Sequence, residues 1–167
     1  MSSAAAQVVG RGLGKRNRSA FSLIELVIVV VIIAIIGAIA IPKMSRGAQG
    51  ASDSALIQNL SVLRSALDLY QTENGGAYPT IGNVTNALLQ YSDGSGGLSS
   101  TKTGNFVYGP YLRAIPTLPV GARKGSNGIA AADAASIGWI YNQSTGAITA
   151  NTTASEADAK GNLYNTY

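Results

Sequence analysis

The sequence predicts an α+β protein: one long N-terminal helix, apolar in its first half and amphipathic in its second, packed on a small antiparallel β-sheet head. Three observations carry that reading. Residues 21–41 are apolar apart from Ser22, Glu25 and Gly37. Leu56, Leu60, Leu63, Leu67 and Tyr70 then recur at helical spacing, with Gln58, Ser61, Ser65, Asp68 and Thr72 on the opposite side. After the "NGG" at residues 74–76 the chain breaks into short runs separated by Gly, Pro, Asn and Ser, the punctuation of strands and turns.

Residues 1–20 form a first segment, rich in Ser, Ala, Gly and Arg and without apolar period, which predicts disorder. Of the 12 basic residues four lie here (Arg11, Lys15, Arg16, Arg18) with no acid, which leaves eight against the eight acidic ones elsewhere. The formal excess of +4 therefore sits beside the apolar run. That placement predicts a cytoplasmic N-terminus. No basic surface interleaved with aromatics is present, so no nucleic-acid partner is expected. "GRGLGK" has no preceding strand and is not read as a phosphate-binding loop.

Residues 21–41 form the second segment. As a helix they would span roughly 31 Å, about one bilayer core. Glu25 is the anomaly. A carboxylate at the centre of a membrane helix costs about 2.5–3.5 kcal/mol, less near the interface, so it implies a function and a partner. Glu25 stands four residues after Phe21. A cut before Phe21 would leave a new α-amine one helical turn away, where little water screens the attraction.

Residues 42–74 continue the helix towards the head. Pro42 removes one backbone bond, and Gly47 and Gly50 weaken the helix by ~1 kcal/mol each, which predicts a kink or a meltable stretch over residues 42–51. The leucine stripe is read as packing on the protein's own head, and the two glycines after Asn74 as the stop.

Residues 75–167 make the head. A short helix is expected over 83–91 and a flexible loop over 92–104. Strands are expected near 106–108 and 127–130, with an irregular, proline-rich crossing over 108–121. A hairpin is expected from 138–142 and 147–151 around a turn at 143–146.

The chain has no Cys and no His, which excludes disulfides and thiolate sites and removes the commonest general base. No nucleophile–base pair is recognisable, so no enzyme activity is expected. Asp133, Glu156 and Asp158 could offer oxygen ligands to calcium, but no Asp-x-Asp-x-Asp-Gly loop frames them. They are read as solvated acids, and no cofactor is expected. Asn-x-Ser/Thr triplets at 142–144 and 151–153 arise readily in so polar a composition.

"RSAFSLIELVIVV", closed by the "IP" at Pro42, resembles the processing and assembly signal of type IV pilins and of type II secretion pseudopilins. "ALDLYQTENGGAYPT" is similar to the segment that closes the long helix of major pseudopilins, and "GPYLRAIPTLP" to the crossing that follows it. The resemblance covers residues 11–119 and extends loosely over the rest. Ala20 stands where the family has Gly before the cleaved bond. The acidic calcium loop of many major pseudopilins and the cysteine pair of typical pilins are not recognisable.

The resemblance implies a pilin-like fold, a leader over 1–20, and prepilin peptidase cutting between Ala20 and Phe21 with N-methylation of Phe21. It implies a single-pass subunit in the bacterial inner membrane, surrounded by lipid, with its N-terminus in the cytoplasm and its head in the periplasm or on an extracellular filament. An assembly platform and its ATPase would then extract it into a homo-oligomeric filament, a pilus or a pseudopilus. Glu25 and Pro42 would be the assembly residues, Glu25 pairing with the Phe21 amine of a neighbouring copy. Two other readings stay open. "AIA" at 38–40 fits a signal peptidase site that would release a secreted protein after Ala40, and the apolar run could be a plain single-span anchor.

Overall fold

The computed structural model describes residues 21–167. The chain divides into two units, Met1–Ile41 and Pro42–Tyr167. Helix α1, Leu23–Glu73, contributes to both and runs through Pro42, Gly47 and Gly50 without a break. A single proline removes one backbone bond from a ladder of many, so helical structure survives it.

The second unit is built on the leucine stripe. Leu56, Leu60, Leu63 and Leu67 are almost wholly buried, because their 4-3-4 spacing puts them on one face. They pack in one core with Val84, Leu88, Leu118, Trp139, Tyr141 and Ile148. The expectation that the stripe serves the protein's own head is met. The helix stops as its glycines predict. Gly76 N–H donates to Gln71 O at 2.9 Å, a six-to-one closure that needs the positive φ of Gly75 (69°) and Gly76 (81°).

Helix α2, Val84–Leu89, is shorter than the expected 83–91. Gln90 is extended (φ −119°, ψ 170°), and Tyr91 already belongs to strand β1, Tyr91–Ser92. β1 pairs antiparallel with β2, Leu98–Ser99, so the segment expected to be a flexible loop holds a small hairpin. Asp93 makes it: its Oδ1 accepts the N–H groups of Ser95 at 2.8 Å and Gly97 at 2.9 Å. A short acidic side chain can organise a turn in this way where the backbone has few bonds of its own.

The strand expected over 106–108 does not form. Tyr108 pairs with Ser92 in an isolated bridge, and the Phe106 and Val107 N–H groups donate to the nearby Thr103 and Asn105 carbonyls instead. The second sheet has the order β3–β4–β5, from Gly128–Ala130, Ile137–Tyr141 and Ile148–Ala150. β4 and β5 are the expected hairpin. Asn142 N–H donates to Ala147 O and Gly146 N–H to Asn142 O, both at 2.9 Å. Gly146 has φ 71°, and a Cβ there would overlap the Tyr78 ring, so only glycine fits the turn.

β3 lies where a strand was expected but pairs parallel to β4, with Gly128 opposite Ile137 and Ala130 opposite Ile140. The sheet is therefore mixed, within the α+β class. Residues 131–136 run back along β3, and Ser136, at φ 64°, turns the chain into β4. Trp139 and Tyr141 anchor this sheet. Trp139 Nε1 donates to Pro116 O at 2.8 Å and Tyr141 Oη to Pro79 O at 2.9 Å. Burial, with the nearby Tyr78 and Tyr70, pushes the Tyr141 hydroxyl up to about 12.

Candidate functional site

The residues singled out for processing and assembly cluster at the start of α1. Ser22 O accepts the Leu26 N–H at 3.2 Å, which makes Ser22 the N-cap and Glu25 the third helical residue. Ser-x-x-Glu at these positions is the capping-box spacing, a local reason for the helix to begin here. Glu25 also sits in the first turn, where the helix dipole favours a carboxylate by about 0.3–1 kcal/mol at an exposed site. It is exposed, as is Phe21 at 78%. Residues 1–20, including Ala20 and the expected leader, lie outside the described residues.

Over Leu23–Ala40 the helix has no apolar cover of its own. Leu23–Ala40, 18 residues, is long and apolar enough to cross a membrane, and none of it is buried. A soluble core helix of this composition would be covered by its own chain. Twelve or more adjacent Leu, Ile and Val side chains left in water far exceed the patch a monomer tolerates, so lipid or other chains must cover them. The alternative cleavage triplet at 38–40 lies within α1, as does Pro42.

Among the described residues of the head, no group of three His, Cys, Asp or Glu side chains could hold a metal ion. The three candidate calcium acids are engaged separately. Asp133 accepts both Arg123, in an ion pair at 2.9 Å, and Asn151, and the guanidinium foremost lowers its carboxyl below the usual range. Glu156 accepts the N–H groups of Thr153 at 2.7 Å and Ala122 at 2.5 Å; the Thr153 bond, then the Ala122 one, lowers its carboxyl. Asp158 is held low chiefly by Tyr167 and Asn162. Asp133 and Glu156 line one cavity of about 310 Å³, but Asp158 is not part of it.

Asn151 is a structural residue that sequence reasoning passed over as a chance triplet. It is 6% exposed, and its Nδ2 donates to Asp133 Oδ1 and Ile137 O, both at 2.8 Å. Asp93, inside the segment expected to be a flexible loop, was missed too, although its partners two and four residues on make a local turn of the kind an Asp in a Gly/Ser-rich run can signal. Asn151 finds its partners only through folding, and a sequence carries no periodic signal for that.

Residues 15–41 match the family described as the prokaryotic N-terminal methylation motif. No curated protein and no solved structure matches the chain. The matched stretch holds three of the four basic residues before Phe21 (Lys15, Arg16 and Arg18), Phe21 itself, Glu25 and the uncovered apolar run. The motif points to a structural subunit, and with the apolar helix it fits anchoring in the inner membrane. The methylation motif, the long N-terminal helix and the α+β head together are consistent with a type IV pilin-like or pseudopilin protein.

Proposed function

We propose that the chain is a prepilin-like structural subunit that prepilin peptidase cuts between Ala20 and Phe21 and methylates on the Phe21 amine. The observation that carries this is a methylation motif set on an uncovered apolar helix with a carboxylate in its first turn. Before assembly the helix sits in the inner membrane with the basic leader side in the cytoplasm and the head outside. A platform and its ATPase then move it into a homo-oligomeric filament, a type IV pilus or a type II secretion pseudopilus. Transfer from lipid to a packed bundle of like helices keeps the apolar surface dry, so rehydration does not oppose it.

In the bundle, Glu25 accepts the Phe21 amine of a neighbouring copy. An ion pair in so dry a place rewards one axial register and penalises the others, because a mismatched copy leaves a buried charge without a partner. The test is the N-terminal sequence and intact mass of protein extracted from membranes, with and without the peptidase. The expected mature chain begins at Phe21 and carries one added methyl group. A mature start at Ile41 would instead mean signal peptidase release and would overturn the proposal.

A further inference from the structure

The last residues of the described chain return to α1 and grip it by polar bonds. Tyr164, in a 3-10 turn over Tyr164–Thr166, donates its Oη to Asp53 Oδ1 at 2.7 Å. The Ala159 N–H reaches the other oxygen of Asp53 at 3.4 Å. Gln49, one turn earlier on α1, lines the same groove as Tyr164. Three turns further on, Arg64 Nη2 donates to the backbone oxygens of Tyr167 at 2.6 Å and Ile148 at 3.2 Å. The gripping segment is itself braced, by a bridge between Ala157 and Leu163 and by the Tyr164 N–H bond to Glu156 O at 3.1 Å.

The position of this grip on the helix is what gives it a role. Residues 47–51 are exposed, and apart from the helix's own neighbouring backbone no atom of the described residues lies within 4 Å of a Cβ built on Gly47 or Gly50. Glycines without tertiary cover make this the part of α1 that opens most easily. The first wholly buried side chain of the leucine stripe is Leu56. Between them, among the described residues, the polar holds on this turn are the Tyr164 hydroxyl at 2.7 Å and the weaker Ala159 N–H at 3.4 Å, both on Asp53. We propose that residues 156–167 act as a clasp that stops opening of α1 at Gln49–Asp53, one turn before the core would. The head side of the helix then stays folded when the segment before it is loosened, whatever loosens it. This goes beyond the filament reading and does not depend on it.

Hydrogen exchange by mass spectrometry on the full chain in detergent micelles tests the clasp. A hydroxyl-to-carboxylate bond of this kind supports the turn strongly enough that Tyr164→Phe should speed exchange of the amides over 50–55 by about tenfold. Exchange in β4, Ile137–Tyr141, should stay within about twofold. Asp53→Ala, which also removes the weaker Ala159 contact, should give a local effect at least as large, and the double variant should add little to Asp53→Ala, because both remove the Tyr164–Asp53 bond. Asp53→Asn keeps an acceptor oxygen and should show a smaller rise than Asp53→Ala. Unchanged exchange over 50–55 in Tyr164→Phe would overturn the clasp. So would a rise of equal size in β4, which would make Tyr164 an ordinary core residue, or additive effects in the double variant.

Discussion

Replacing Glu25 by Ala or Gln removes the one carboxylate of the apolar run and leaves its other residues intact. In the separate subunit the cost is small. Glu25 is an exposed residue in the first turn of α1, so only the dipole term is lost, about 0.3–1 kcal/mol of local helix stability. Membrane insertion should be as good as before or better, since about 2.5–3.5 kcal/mol of carboxylate burial disappears from a central position and less from one near the interface. None of the head's buried residues changes, so the head's Tm should hold.

The cost falls on the assembled state. The neighbouring Phe21 amine would be buried without its partner, at roughly 3–5 kcal/mol, which corresponds to a loss of roughly two to three and a half orders of magnitude in the assembly equilibrium. Glu25→Gln should behave like Glu25→Ala, because a neutral amide does not match the amine's charge. The assay is the sheared filament fraction measured at equal membrane levels, with N-terminal sequencing to show that Phe21 is still exposed by cleavage. Wild-type filament yield from both variants would refute the pairing.

Within the head, Leu63→Ala should lower stability by about 2–5 kcal/mol, a fall in Tm on the order of 10 °C, because Leu63 is 0% exposed in the middle of the stripe. Gly146→Ala should destabilise the β4–β5 turn by ~1–2 kcal/mol from its positive φ, and further by displacing Tyr78, measured as a shift in denaturant midpoint. Acid should weaken the head. Glu156 and Asp158 have carboxyls lowered by folding, so their contribution is present above the unfolded value near 4 and is lost as pH falls through the lower folded value. Thermal unfolding followed from pH 5 to 2 should show this decline, and Glu156→Gln should flatten it. Tyr141 is shifted the opposite way, to about 12, so its contribution is complete below about 10 and lost as pH rises through 12; Tyr141→Phe should reduce that alkaline loss.

Sequence alone determined the parts whose cause is local. The leucine stripe announced its face because helical neighbours are set by spacing. The NGG stop followed from two residues that tolerate positive φ, and the hairpin of β4 and β5 from alternation around a tight turn. The N-terminal methylation motif was legible for the same reason: Lys15, Arg16, Arg18, Phe21, Glu25 and the apolar run lie within one short stretch, residues 15–41. Tertiary structure alone decided the rest. Phe106 and Val107 have strand-forming side chains, yet a strand needs a partner, and only Tyr108 finds one in Ser92. β3 could not be oriented from its own residues, because its direction depends on how residues 131–136 return to β4. Asn151 became a buried brace only once Asp133 and Ile137 were in place. Tyr164 meets Asp53 across 111 positions of sequence, a contact that no periodicity encodes and that exists because the folded core brings the two ends of the head together.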